Sequence, residues 1–374
     1  MMKRIAISPR ADYERKLEEI GFSYHALDNY WNESVCYQFT TAEVDEIEAA
    51  TEELHQMCLQ AVQFVIDNRR FADLGIPEAF WQPIAASFAR RDFHLYGRFD
   101  FAYDGNAPPK LLEYNADTPT SLLEASVAQW YWLEEKFPEA DQFNSLHEKL
   151  VARWKGFGQP GETIHFASLA ENEEDWVCVT YLMDTAAQAG FQVKHIFVED
   201  IGWSYAQKTF VDLDGQPISA LFKLYPWEFM MREEFGSRIV ESKTRLVEPL
   251  WKSVLSCKGL LPILWEMHPS HPNLLPAYFR PGILSSYAKK PLYSREGANI
   301  ELVEYGRTIA QDDGPYGAEG VIYQGLRKLT PYDGRYPVIG AWVVHDSAAG
   351  MGMREDAQPI TTNKSSFVPH YFKD

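Results

Sequence analysis

Four side chains recur at a spacing that can do chemistry. Arg98 and Asp100 lie two residues apart, as do Glu113 and Asn115, within Arg98-Phe99-Asp100-Phe101-Ala102-Tyr103 and Leu111-Leu112-Glu113-Tyr114-Asn115. Residues i and i+2 of a strand share a face. The intervening Asp104-Gly105-Asn106 and Pro108-Pro109 predict the turn of a β-hairpin. Such a hairpin gathers one guanidinium, two carboxylates and one amide, with aromatic and leucine side chains on its other face. Hard oxygen donors of this kind suit Mg²⁺, which shares its remaining positions with phosphate and water. The arginine then addresses negative charge developing on a transferring phosphoryl group or a tetrahedral intermediate. The same spacing also describes an exposed hairpin face laced by cross-strand ion pairs. Ala116-Asp117-Thr118-Pro119-Thr120 follows at once and precedes a predicted helix start at Ser121-x-x-Glu124. Hydroxyls and free N–H groups there suit a carboxylate substrate, with plain N-capping by Thr120 or Ser121 as the simpler use.

The elements that must position these residues are legible in outline. Thr40-x-x-Glu43 reads as a capping box, and Val44, Ile47, Thr51, Leu54, Cys58, Ala61 and Val65 step by three and four into an amphipathic helix. Gly75-Ile76-Pro77 closes that region, and an aromatic-rich helix runs from Ser121 to Pro138. Residues 163–203 read as strand, helix and strand, with Glu173 to Ala189 helical and Gly190 at the C′ position, which predicts a small parallel sheet. Phe210 to Phe222 reads as a hairpin about Asp214-Gly215. The last third reads as strand-rich, with a buried apolar run at Leu260–Trp265, strands at 287–292, 320–324 and 338–344, and glycine loops at 294–299 and 347–352. The second loop is a mobile lid or a bulge.

Composition excludes other classes. With 374 residues and 46% hydrophobic content the chain builds a real core and is not disordered. A net charge of −18 argues against bulk binding of nucleic acid or anionic membrane. That charge is uneven: residues 1–250 carry −19 and residues 251–374 carry +1. Cys36, Cys58, Cys178 and Cys257 form no CxxC pair or disulfide framework. Neither an apolar leader nor a membrane-length apolar window is found, so a cytoplasmic location with free thiols is expected. The chain lacks G-x-x-x-x-G-K-[ST], HExxH and GxSxG motifs, and the prolines of Met267-His268-Pro269-Ser270-His271-Pro272 spoil a helical metal pair.

The run from Arg98 to Glu124 resembles the synthetase domain of glutathionylspermidine synthase and its stand-alone acid–amine ligase relatives. The resemblance continues in Lys258-Gly259-Leu260-Leu261-Pro262-Ile263-Leu264-Trp265 and in Lys290-Pro291 with Arg295-Glu296-Gly297-Ala298-Asn299-Ile300. It returns in Ile322-Tyr323-Gln324 and Gly350-Met351-Gly352-Met353-Arg354-Glu355. It covers almost the whole chain in one order, without a counterpart of the amidase half.

The resemblance implies an α/β, or α+β, ATP-grasp fold with a permuted segment order, joined to a small pre-ATP-grasp-like α/β subdomain and an N-terminal helical region. Within one ligase unit spanning 1–374, a mainly helical region covers 1–90, the metal-binding hairpin and helix 91–155, a substrate subdomain 160–250 and an ATP-binding lobe 251–374. It implies an ATP- and Mg²⁺-dependent ligase, with two Mg²⁺ ions, that joins a small-molecule carboxylate to an amine through an acyl phosphate. Asp100, Glu113 and Asn115 fall on the magnesium ligands, and Arg98 on the arginine that stabilises the transition state and meets ATP. Lys258 and Lys290 fall on the lysines that hold the ATP phosphates. The loop carrying Glu296 and Gly297 closes over them through backbone N–H groups or is a plain polar turn, Arg354 adds a cation, and the segment Gln324, Gly325, Leu326 and Arg327 meets the adenine. Thr118, Thr120 and the acidic pair Glu173 and Glu174 fall near the substrates, although Glu173 and Glu174 also suit a helix N-terminus by its dipole. Two departures matter. The metal ligands precede the lysines along the chain, an order the family shares. Leu224 follows Lys223 where the family has a threonine, so the acid and the amine are not carried over. A nucleotide- or polyamine-binding protein without turnover is the alternative. A carbohydrate hydrolase, suggested by 11 Trp and 20 Tyr beside carboxylates, gives the two lysines no role. The acidic first two thirds would draw Mg²⁺ and a cationic amine.

Overall fold

The computed structural model describes residues 1–374. The hairpin forms where alternation places it, as the antiparallel strands Tyr96–Ala102 and Lys110–Asn115. Arg98 stands opposite Asn115 and Asp100 opposite Glu113, with a bulge just beyond Asp100. Phe99, Phe101 and Tyr114 fill the other face, and the rings of Phe99 and Tyr114 stack 3.9 Å apart. These strands form one edge of a five-stranded antiparallel sheet, continued by Tyr336–Val344, Ser347–Asp356 and Ser366–Val368. Gly340 lies opposite Asp100, and a Cβ there would stand 2.8 Å from Arg98 Cδ. Only glycine lets the guanidinium stem lie across that strand.

A second five-stranded antiparallel sheet is built from Ala277–Tyr278, Val321–Gly325, Tyr287–Pro291, Glu301–Glu304 and Arg307–Gln311. A parallel sheet orders Arg245–Val247, Ala220–Lys223, Thr163–Ser168 and Gln192–Phe197, with the helix Glu173–Gln188 as crossover and Gly190 at φ 100° just after it. The first ninety residues hold the helices Tyr13–Glu19, Thr41–Asp67 and Trp81–Ala89. They also hold two strands: Val35–Phe39 is the middle strand of a three-stranded sheet, paired with Lys3–Ala6 on one side and with C-terminal His370–Phe372 on the other. The Thr40–Glu43 capping box is made in both directions, and all seven stepping positions from Val44 to Val65 are buried. No helix is long and apolar enough to cross a membrane, and the four cysteines are buried and free.

Three sequence expectations change, and one open alternative is decided. Leu260–Met267 is a helix, not a strand, so Lys258 sits just before a helix start. A short apolar run carries no periodicity that separates the two. Phe210–Phe222 reverses at Asp214-Gly215, but Ala220–Lys223 leaves the turn to join the parallel sheet, while Thr209–Val211 pairs with Gly202–Ser204. Ser121 is left-handed at φ 67° and caps nothing. Its hydroxyl lies 3.0 Å from that of Tyr30, and Glu124 accepts from Tyr24 and Tyr30 at 2.6 and 2.8 Å. Of the two readings of the 347–352 loop, lid or bulge, the bulge holds: the segment is strand, buried from Ala348 on, with a bulge against Trp342–Val343.

Candidate active site

The hairpin face opens into a cleft of about 240 Å³ lined by Arg98, Asp100, Glu113, Asn115, Thr118 and Thr120 on one side. Glu174, Asp175, Leu224, Arg295, Glu296, Gly297 and Arg354 close it from the other elements. Arg98 grips Asp100 with its fork, Nε to Oδ1 at 2.7 Å and Nη2 to Oδ2 at 3.2 Å, and donates from Nη1 to the Thr120 carbonyl at 2.9 Å. Asn115 Nδ2 lies 3.2 Å from Asp100 Oδ2 and 3.3 Å from Glu113 Oε1. Two carboxylate oxygens are therefore aimed at one point, and a turn of the amide would present a third oxygen there. This is a donor set fit for a hard divalent cation.

Cations crowd the same carboxylate. Lys258 Nζ lies 3.1 Å from Glu113 Oε2 and donates to the Ser294 carbonyl at 2.8 Å. Buried Lys290 donates to the Leu112 carbonyl and to Gln324 Oε1, both at 2.8 Å. Burial pushes Glu113 up, but Lys258 and Lys290 outweigh it and hold the carboxyl below its usual range. Burial pulls Lys290 down to about 8. Burial raises Asp100, with Arg98 pulling against it. The fit to a polyanion has a second sign: Arg295 Nε and Arg354 Nε are buried donors without partners.

The expected residues do not all reach the cleft. Gln324 turns its side chain into the protein and donates to the Leu111 carbonyl at 2.9 Å, so it props Lys290. Gly325 and Leu326 spend their N–H groups on the carbonyls of Pro276 and Ser286, and Arg327 pairs with Asp104 at 3.3 Å. Of the acidic pair, Glu174 lines the cleft while Glu173 turns away and accepts from Ser23 at 2.5 Å, because neighbours on a helix diverge. Arg354 donates from Nη2 to the carbonyls of Thr362 and Ser365, both at 2.9 Å.

Sequence reasoning missed three groups. Arg295, read only as part of a glycine loop, donates to Thr118 Oγ1 at 2.9 Å and to Glu228 at 2.8 Å. Lys223 and Asp117 form a buried ion pair behind the Thr118–Thr120 segment. Asp175 faces the cleft with its carboxyl pushed up to about 7, by burial first and then by Glu174. A carboxylate at the third position of a helix looks like a dipole partner, so no sequence signal marked it.

The family model described as glutathionylspermidine synthase preATP-grasp matches residues 4–373. The chain belongs to the glutathionylspermidine synthase family. It is 45% identical to a Haemophilus influenzae protein named "Putative acid–amine ligase", over 99% of this chain and 100% of that one. It is 30% identical to trypanothione synthetase of Crithidia fasciculata, over 94% of this chain but 57% of that protein. It is 28% identical to the bifunctional glutathionylspermidine synthetase/amidase of Escherichia coli, over 89% of this chain and 58% of that protein. The chain thus spans the whole of the first relative and a little over half of the other two. Among solved structures, a glutathione synthetase-like effector from Globodera pallida superposes with a TM-score of 0.58 at 11% identity, over 98% of both chains, which speaks for the fold alone. This member of the family is a ligase that forms C–N bonds.

Proposed function

We propose that the protein is an ATP- and Mg²⁺-dependent ligase that joins a small-molecule carboxylate to an amine through an acyl phosphate, on a permuted ATP-grasp fold. One observation carries this reading: the Asp100–Glu113–Asn115 oxygen set lies directly against Lys258, with Lys290 behind it and two unpartnered arginine donors beside it. In this assignment residues 251–374 supply the nucleotide lobe and residues 160–250 the substrate side. Magnesium, held by Asp100, Glu113 and Asn115, supplies neutralisation of phosphate charge.

The chain's own groups do the rest. Lys258 and Lys290 hold the phosphates from below the hairpin, and Arg295 and Arg354 turn their free donors to the anion. The Thr118–Thr120 segment orients the substrate carboxylate. That carboxylate attacks the γ-phosphorus and ADP departs. The amine then attacks the acyl carbon, phosphate leaves, and Arg98 stabilises the charge on the tetrahedral oxygen. Asp175, with its carboxyl near neutrality and facing the cleft, is matched to take the proton of the attacking amine. Leu224 also lines the cleft and puts an apolar side chain at the acceptor wall, so the acid and amine differ in contact there from a partner that a threonine would bind.

The direct test is ADP release with Mg²⁺ and a panel of acids and amines. Turnover that needs both an acid and an amine is expected, with a new amide in the mass spectrum. Saturable ATP binding without ADP under any pair would favour a binding protein. A pH profile gives a second check. Lys290 is charged below about 8 and neutral above it. The kcat/KM for ATP, which reports the free enzyme, is therefore expected to fall above that pH by about tenfold per unit at the limit. A flat profile to pH 9.5 would remove Lys290 from phosphate binding.

A further inference from the structure

Three histidines gather around one carboxylate at the end of the hairpin sheet opposite the 103–109 turn, and none of them lines the cleft. His94 precedes the strand Tyr96–Ala102, His345 and Asp346 form the turn between Tyr336–Val344 and Ser347–Asp356, and His55 comes from the long helix Thr41–Asp67. His94 Nε2 lies 3.5 Å from Asp346 Oδ1, His345 Nε2 3.3 Å from Asp346 Oδ2, and His55 Nε2 3.0 Å from Asp346 Oδ1. One ligand atom each of His94, His345 and Asp346 falls within 4.8 Å of the others. Ligand atoms on arms of about 2.0–2.1 Å in a tetrahedron stand roughly 3.3 Å apart, which the two His–Asp separations match, and the 4.8 Å bound on the set leaves a small side-chain adjustment to complete it.

We propose that His94, His345 and Asp346 bind a divalent transition-metal ion, Zn²⁺ by the chemistry of the donors, at a site separate from the Mg²⁺ cleft. Two imidazoles and a carboxylate on one face leave the remaining positions to water, and this mixed set selects against Mg²⁺ and Ca²⁺, which want oxygen alone. His55 is the positioning residue. It holds the Asp346 carboxylate from the buried side, and its Nδ1 lies 3.4 Å from the hydroxyl of Tyr114, the residue between Glu113 and Asn115. Partners of this kind set the orientation of a ligating group. His345 sits left-handed at φ 55° in the tight turn. Of the nearby cations, Lys252 is paired with Glu248 at 2.7 Å, and Arg153 spends its Nε on the His94 carbonyl at 2.8 Å. A bound ion would tie the turn to the start of the strand that carries Arg98.

The test is titration of the chelator-treated full chain with Co²⁺ under excess Mg²⁺, which occupies oxygen-only sites. One equivalent is expected to bind with the visible absorption of a four- or five-coordinate imidazole site, and Zn²⁺ is expected to displace it. His345→Asn keeps the turn conformation and is expected to weaken Co²⁺ at least tenfold, and His55→Gln by about tenfold through Asp346. Absence of the band with the wild-type chain, or a band untouched by His345→Asn, would overturn the site. ADP release is measured separately, so a failure here leaves the ligase reading standing.

Discussion

Replacing Arg98 by alanine is expected to lower amide formation by about 10²–10³-fold while ATP binding is largely kept. The guanidinium reaches the cleft from the strand face that carries Asp100, and its Nη1 is held by the Thr120 carbonyl. It thus stands between the proposed metal ligands and the segment that would orient the acid. Lys258 and Lys290, which would hold the phosphates, are positioned by Glu113, Ser294, Leu112 and Gln324 and owe nothing to Arg98. The loss should therefore appear in kcat more than in nucleotide affinity. Steady-state ADP release and fluorescent-nucleotide binding, run side by side, separate the two. Arg98→Lys should recover little, because a single ammonium cannot reproduce a fork that grips both oxygens of Asp100. Full ligation by Arg98→Ala would remove the arginine from the chemistry.

Lys223→Met is expected to cost about 3–5 kcal/mol of stability. Lys223 and Asp117 are an almost fully buried pair, with side-chain exposures of 1% and 2%. Lys223 also donates to the Tyr225 carbonyl at 3.0 Å and lies 4.5 Å from the centre of the Trp227 ring, and Asp117 accepts from Trp227 N at 2.9 Å. Removing the ammonium leaves a carboxylate without its counter-charge in a dry place. Guanidinium unfolding followed by tryptophan fluorescence measures the cost. The double variant Lys223→Met/Asp117→Leu should recover much of it, since no charge is then stranded. Because the pair ties the parallel sheet to the Asp117–Thr120 segment, ligation should fall in the single variant even where it remains folded. A single variant as stable as the wild type would mean that the pair does not hold the two units together.

The hairpin was legible because its signal is local. Alternation of Arg98, Phe99, Asp100 and Phe101 needs only the period of a strand, and the structure repeats it residue for residue up to the bulge after Asp100. The long helix was legible for the same reason, through a capping box and a regular stripe. The βαβ unit followed from its apolar runs and Gly190. The helix at Leu260–Met267 was not legible, because an apolar run shorter than two turns has the same appearance in either state. The turn at Asp214-Gly215 was visible, but the partner of the strand beyond it was not. Ala220–Lys223 pairs with Thr163–Ser168 and Arg245–Val247, far along the chain, and turn chemistry says nothing about such partners.

Residue types and short spacings by themselves determined the oxygen face, its arginine, the family resemblance and the exclusion of other motifs. The resemblance had singled out Lys258, Lys290 and Arg354, but tertiary structure alone decided how the cations meet that face, added Arg295, and showed which residues never reach it. Arg295 and Arg354 come to the cleft from separate elements, while Lys258 and Lys290 reach the Glu113 side of the hairpin without lining it. Gln324 turns inward to prop a lysine, and Glu173 and Glu174 part company around a helix. The two sources of information differ physically. Periodicity within an element is set by the dihedral angles of neighbouring residues, whereas a charge is assigned its partner by burial and by packing between distant segments. The acidic balance of −19 over residues 1–250 was a property of composition. That one carboxylate of it, Glu113, meets Lys258 and Lys290 is a property of the fold.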